Sequence, residues 1–307
     1  MKTSIFQGMR MNGPKIAMQR LAVALIAPML LVQLLAIPAA TGEGGRDGAP
    51  FVASSTGLPT TANYYGVAFG DFNNDGNLDI VGAAESNGLK VYLGDGKGNW
   101  SAVASHPAAS GGFSDVRVGD MDKDGNADIV VGTTGIKVYK GNGAGGFSDI
   151  SAASGLPTTD NWRGIALGDV NKDGNPDIGA TSGWGSSKGI AVYTGDGTGK
   201  FKANSTGLPG NQDRDTGIVF ADFNADGNLD LAAGGTPGVT VYYGNGGSGG
   251  AMSWTSSGTG LPTSRFSGVN STDFNKDGMP DIILSAYNAG SGAGLRAYKN
   301  VNNGASW

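Results

Sequence analysis

Five stretches of this 307-residue chain place oxygen-bearing side chains at the spacing a hard cation requires. In the first, Asp71-Phe72-Asn73-Asn74-Asp75-Gly76-Asn77-Leu78-Asp79, carboxylate or amide oxygens stand at positions 1, 3, 5 and 9 of a nine-residue loop. Gly76, at position 6, permits a sharp turn, and the backbone carbonyl of Asn77 is available at position 7. Ca²⁺ takes about six to eight oxygen ligands at ~2.3–2.6 Å in a flexible shell, and this spacing can wrap one ion. The pattern returns at Asp120–Asp128, Asp169–Asp177, Asp222–Asp230 and Asp273–Asp281, with starts 49, 49, 53 and 51 residues apart. One such loop reads as easily as an ordinary Asx-Gly turn. Five in register point to metal, and calcium is the expected cofactor, up to five ions in all.

The elements that must hold these loops recur with them. Gly66–Phe72 is an apolar run entering the first loop, and Asp79–Ala84 is a strand leaving it. Leu89–Gly94 alternates as a third strand, Asp95-Gly96 makes a tight hairpin turn, and Trp100–Ala104 is a fourth, outer strand. Matching third strands are Ile136–Lys140, Ile190–Thr194, Val239–Tyr243 and Leu295–Lys299. Four short strands in about 50 residues, repeated, predict an all-β chain folded as a β-propeller. The outer strands open on Trp100, Phe147, Phe201 and Trp254, whereas the fifth repeat reaches only Trp307. Phe51–Ser54, followed by Thr56-Gly57-Leu58-Pro59, looks like an outer strand with no blade before it. The expectation is therefore five four-stranded blades over 51–307, closed by the N-terminal strand completing the fifth.

Composition narrows the function. The chain has no Cys, which removes disulfides and thiolate metal sites, and its one histidine, His106, leaves little room for imidazole catalysis. Acids outnumber bases 26 to 21 with no basic stripe, which argues against a nucleic-acid partner. Residues 1–40 differ: Lys2, Arg10, Lys15 and Arg20 precede the apolar Leu21–Ile37, and Pro38-Ala39-Ala40 gives way to polar chain. This reads as a cleaved export signal or as an uncleaved N-terminal membrane anchor, followed by a Gly-rich linker over 41–50. Only through that anchor would the chain touch a membrane, and the localisation expected is secreted or cell-surface. Without residues 1–40 the net charge falls from −5 to −9, and five Ca²⁺ would bring it to about +1. The acidity belongs to the metal loops.

On these residues the chain resembles the FG-GAP/VCBS repeat family, typified by the integrin α-subunit propeller. The matching text is Gly66-Val67-Ala68-Phe69-Gly70-Asp71 running into Asn73-Asn74-Asp75-Gly76 and Asp79-Ile80-Val81-Gly82, with similar text through 165–179 and 218–234. The resemblance implies Ca²⁺ in loops between the first and second strands of each blade. By position, it implies Asp71, Asn73, Asp75 and Asp79 as side-chain ligands and Asn77 as a carbonyl ligand. The other sets implied are Asp120, Asp122, Asp124, Asn126 and Asp128; Asp169, Asn171, Asp173, Asn175 and Asp177; Asp222, Asn224, Asp226, Asn228 and Asp230; and Asp273, Asn275, Asp277, Met279 and Asp281. Integrin propellers have seven blades and only some carry the loop, whereas all five repeats carry it here. Gly82 stands where an EF-hand has its bidentate Glu, so EF-hand switching is not expected.

The family includes lectins, polysaccharide lyases and surface proteins, and fold alone does not choose among them. The leading expectation is an exported recognition or adhesion module for an extracellular glycan or protein. The alternatives are a lyase or hydrolase on the same scaffold and a structural surface-layer repeat protein. No repeat stands out as an active site. A ligand site is expected at the end of the blades opposite the metal loops. The strand entries there carry Tyr64, Phe113, Trp162 and Phe266, with Arg163 beside them and Trp184 in the loop from the second to the third strand.

Overall fold

A computed structural model describes residues 54–307 apart from 62, 85–87, 105–111, 113, 184, 186–187, 212–216, 237, 248–250, 258–259, 287–293, 302 and 305. The N-terminal leader and linker, Phe51–Ala53, His106, Phe113 and Trp184 therefore lie outside the described residues.

Each repeat folds as one antiparallel sheet whose strands lie side by side in chain order. Blade one holds β1 (Tyr64–Gly70), β2 (Asp79–Ala84), β3 (Gly88–Gly94) and β4 (Trp100–Ala102). Blade two holds β5 (Asp115–Gly119), β6 (Asp128–Thr133), β7 (Gly135–Gly141) and β8 (Phe147–Asp149). Blade three has β9 (Trp162–Gly168), β10 (Asp177–Ser182), β11 (Ile190–Gly195) and β12 (Phe201–Ala203); blade four has β13 (Ile218–Ala221), β14 (Asp230–Ala233), β15 (Thr240–Gly244) and β16 (Trp254–Ser257). Blade five shows three strands among the described residues, β17 (Gly268–Thr272), β18 (Asp281–Ser285) and β19 (Leu295–Tyr298). The first strands neighbour one another in sequence, β1 to β5 to β9 to β13 to β17, which makes the molecule a five-bladed β-propeller. Among the described residues no helix is long and apolar enough to cross a membrane.

The hairpins form because local chemistry settles them. Asp95 Oδ1 accepts the backbone amides of Lys97 (2.8 Å) and Asn99 (3.0 Å), and its Oδ2 accepts the Asn99 side-chain amide (2.6 Å). The side-chain bond first, then the backbone bonds, hold its pKa down at about 2. Between blades the packing is apolar and repeats four times. Phe72, Val81, Leu89 and Val91 of blade one meet Val116, Ile129 and Val131 of blade two, all buried. Val130, Ile136 and Val138 meet Ile165 and Ile178 across the next interface; Val170, Ile190 and Val192 then meet Ile218 and Leu231. Phe223, Val239 and Val241 meet Ile282 and Leu284 across the fourth. At roughly 1.5–3 kcal/mol per buried aliphatic side chain, these seams dominate the stability of the array.

The start of the described chain lies against blade one. Trp100 donates from its backbone to Thr56 O (2.9 Å) and from Nε1 to Ser54 O (2.9 Å). The same contact enters blades three and four, where Phe201 N donates to Ser154 O (2.7 Å) and Trp254 N to Thr206 O (2.9 Å). The closure of the fifth blade expected of Phe51–Ser54 rests on 51–53, which lie outside the described residues. The aromatics that open the outer strands pack inward: Phe147 meets Phe72 edge-on at 5.4 Å, and Trp307 meets Phe223 at 5.5 Å.

Candidate metal centres and an opposite groove

All five acidic loops share one geometry. The amide of position 5 donates to the position-1 carboxylate (Asp75 N to Asp71 Oδ1, 3.1 Å), and the amide of position 6 donates to its other oxygen (Gly76 N to Asp71 Oδ2, 2.9 Å). Position 7 donates to position 5 (Asn77 N to Asp75 Oδ1, 2.8 Å). The same three bonds recur in the loops of Asp120, Asp169, Asp222 and Asp273. Position 6 has φ between 81° and 90°, the left-handed conformation glycine takes without strain. Position 4 is left-handed too, although it is Asn74, Lys123, Lys172, Ala225 or Lys276. Two left-handed residues fold the loop back on itself, so the oxygens of positions 1, 3 and 5 converge.

Position 9 does something the sequence did not disclose. Asp79 is fully buried; its Oδ2 accepts Phe72 N and its Oδ1 accepts Gly94 N, each at 2.8 Å, so it ties the loop entrance to the end of the third strand. Asp128, Asp177, Asp230 and Asp281 make the equivalent pair of bonds. Burial pushes Asp128, Asp177 and Asp230 up to about 7 and raises Asp79, against the lowering effect of the two amides, while the carboxylates of the same loop add to the rise. Asp75 and Asp277 go the other way, held low first by the backbone amides of Asn77 and Met279.

The donor set fits a hard cation. Oxygens of Asp120, Asp122 and Asp124 lie within 4.8 Å of one another. Asp122 Oδ1 is buried with no hydrogen-bond partner among the described residues, a lone pair aimed at nothing in the protein. The other Asp122 oxygen takes the ammonium of Lys140, which also reaches Asp124 Oδ2 at 2.8 Å. Burial alone would raise Asp124, but Lys140 and the Asn126 amide outweigh it and lower its pKa; the pair of carboxylates, Asp122 first, raises Lys140. Lys299 approaches Asp277 Oδ2 at 3.2 Å in the fifth loop. Sequence reasoning missed both lysines; the available signal was a lysine at the third-strand position that holds Leu93, Thr194 and Tyr243 in the other repeats.

The expected aromatic ring at the opposite end resolves into separate environments. Phe266 is fully buried between blades four and five, with the Arg296 guanidinium 6.0 Å from its ring centroid, and has no face open to a ligand. Tyr64 is half-buried, its hydroxyl 3.3 Å from that of Tyr92. Trp162 is 3% exposed, donates Nε1 to Thr159 O (3.1 Å) and meets Tyr193 edge-on at 6.3 Å; Arg163 follows it, half-buried. Trp162 also lines a cavity of about 440 Å³ with Pro157, Asp160, Lys188, Tyr193 and Leu208. Lys188 Nζ stands 3.9 Å from Asp160 Oδ2, and Asp160 is held left-handed at φ 69°. Burial first, then the Asp160 charge, pushes the Tyr193 hydroxyl up to about 12. The groove lies between the connections entering blades three and four and the loop joining β10 to β11, at the blade end away from the metal loops.

An array of five antiparallel blades, each with an acidic loop between its first two strands, defines an acidic-loop propeller. FG-GAP-like repeats match over residues 71–131, 130–180, 182–233 and 224–284, and the chain belongs to that family. Among curated proteins none matches the sequence. Of the solved structures it is similar to, one is an Agrocybe aegerita lectin described as specifically recognising non-reducing terminal N-acetylglucosamine, at 22% identity and a TM-score of 0.49. The similarity covers 76% of this chain and 65% of the lectin. Another is the V. cholerae biofilm matrix protein Bap1, at 20% identity and a TM-score of 0.45, covering 76% of this chain and 37% of that one. The chain thus spans less than two thirds of the length of either.

Proposed function

We propose that this chain is an exported calcium-binding propeller that acts as a recognition module, with carbohydrate as its ligand class. The observation that supports the ligand class is the groove beside Trp162. It sets a carboxylate and an ammonium (Asp160, Lys188) over an apolar floor to which the largely buried rings of Trp162 and Tyr193 contribute, groups that hydrogen-bond sugar hydroxyls above an apolar surface. Export rests on the basic and then apolar character of residues 1–40. Calcium, when bound, supplies positive charge that draws the crowded carboxylates of each loop together. Asp71, Asn73 and Asp75, with the Asn77 carbonyl, would hold it in the first loop, and the corresponding residues in the other four. The scaffold so fixed presents the groove as a preformed surface.

A glycan array in calcium-containing buffer, followed by calorimetry on the best ligand, tests the reading. The paired substitution Asp160→Asn, which tolerates the left-handed backbone there, and Lys188→Ala is expected to weaken binding at least ten-fold while leaving the melting temperature within about a degree. Binding unaffected by that pair, or no glycan bound at all, overturns the carbohydrate assignment. Release of unsaturated or reducing ends from a bound polysaccharide would replace recognition with catalysis.

A further inference from the structure

Buried apolar positions that repeat from blade to blade become exposed at two places only among the described residues, and those places are the two ends of the series. On the back of blade one, Val67 is 63% exposed, while the equivalent Val116, Ile165 and Ile218 are at most 3% exposed against the preceding blade. Phe69 (51%) and Leu78 (41%) flank it. On the front of blade five, Leu295 is 82% exposed, while the equivalent Leu89, Ile136, Ile190 and Val239 are at most 6% exposed. Phe274 (45%) stands where Phe72, Met121, Val170 and Phe223 are buried, and Ile283 (37%) where Val81, Val130 and Ala232 are buried.

End repeats of an array normally turn a polar face outward, because a solvated apolar face costs solubility. These end faces instead carry the residue types of an internal seam. Contiguous apolar surface of this kind marks an interaction site. The front of one blade and the back of the next already mate four times within the chain, at the four apolar seams. We propose that they mate a fifth time between molecules: the front of blade five of one copy packs on the back of blade one of a second copy. The occupant follows from the seam itself, since the second copy presents the same side-chain positions that every internal front face already receives. The contact is heterologous, with different surfaces on the two partners, so it either closes on itself with a small number of copies or propagates head to tail.

The test uses the whole mature chain in calcium. Val67→Asp spoils only the back face and Leu295→Asp only the front; both positions are exposed, and unchanged melting curves would verify folding. Multi-angle light scattering across a hundred-fold concentration range should show wild type assembling and each variant alone remaining monomeric. An equal mixture of the two variants should form a dimer, because one intact front and one intact back remain. The absence of native Cys allows a second readout: Val67→Cys with Leu295→Cys should cross-link between chains on oxidation. Monomeric wild type at every concentration, a cross-link confined within single chains, or assembly unaffected by either substitution would each overturn the proposal.

Discussion

The second and third metal loops carry the same formal charge by different means. Leaving aside the position-4 lysine that both share (Lys123, Lys172), loop two has four carboxylates, Asp120, Asp122, Asp124 and Asp128, with the Lys140 ammonium against two of them, for a net −3. Loop three has three carboxylates at these positions, Asp169, Asp173 and Asp177, also −3, and among the described residues no ammonium pairs with them: Asn171 replaces the extra acid and tethers Asp173 through a 2.9 Å bond, while the Lys123 ammonium of loop two comes only as far as Gly174. At the strand position of Lys140, loop three has Thr194, which turns away to Lys202 O (3.4 Å). Two carboxylates of loop two are therefore held in ion pairs, whereas those of loop three are left to amide hydrogen bonds. On the proposed calcium reading, one repeat would tune its demand for metal by changing two residues, one in the loop and one on a strand.

Removing calcium should produce the largest effect. With Kd near 0.1 mM, in the range of extracellular modules, ~1 mM Ca²⁺ would add roughly 1.4 kcal/mol per site and about 7 kcal/mol over five sites. That is comparable with the whole stability of a domain. Chelation is expected to lower the melting temperature by more than ten degrees in calorimetry. Hydrogen exchange in the chelated protein should rise more in 169–177 than in 120–128. Equal exchange in the two loops would break the contrast, and an unchanged melting curve in chelator would remove calcium from the fold altogether.

A smaller effect belongs to what the loops share. Asp128 and Asp177 have folded pKa values of about 7, raised by burial above the ordinary carboxylate value of about 3.9. A raised acid binds its proton more tightly in the folded chain, so the stability it contributes is present below about pH 4 and is lost as pH rises toward 7. In chelator the melting temperature should fall across that window. Calcium favours the ionised carboxylates and should flatten or reverse the slope. A chelated protein that becomes more stable from pH 4 to 7 would contradict this.

The smallest effect isolates the lysine. The Lys140 side chain is 38% exposed, so its pair is screened, and an exposed pair contributes about 1 kcal/mol or less. Lys140→Met should lower the melting temperature by a few degrees in chelator. In a calcium titration it should tighten one site by up to about five-fold, because the ion no longer displaces an ammonium. A variant whose calcium isotherm overlays the wild type would show that Lys140 is no competitor.

The loops and hairpins were legible because their chemistry is local. An Asp or Asn accepting amides two to five residues on, with glycine where the backbone turns left-handed, is written within nine residues. The strand Asp79–Ala84 was read with both ends correct, and Leu89–Gly94 only a residue short of β3. What the sequence concealed lies across longer separations. The bond from Gly94 N to Asp79 joins loop to third strand, and Lys140 reaches back 18 residues to Asp122. The aromatics at strand entries were ambiguous for another reason: a repeated ring position serves seam packing and ligand stacking equally well as a pattern. Both Phe266 and Trp162 are buried, and only the cavity that Trp162 borders separates them.

The left-handed residue at the loop tip bears on how long the protein survives. In three loops it is a lysine, Lys123, Lys172 or Lys276, exposed at the outermost corner of the turn. A protease that cleaves after lysine must first draw the chain into an extended strand, and exposed tips are where such nicking begins. A loop wound around an ion resists that extension; a loop opened by its own carboxylates does not. If calcium fills these loops as proposed, its level in the surroundings would act as a clock on the molecule: while it is high, three susceptible bonds would stay folded away, and when it falls they would become the points at which the array is dismantled.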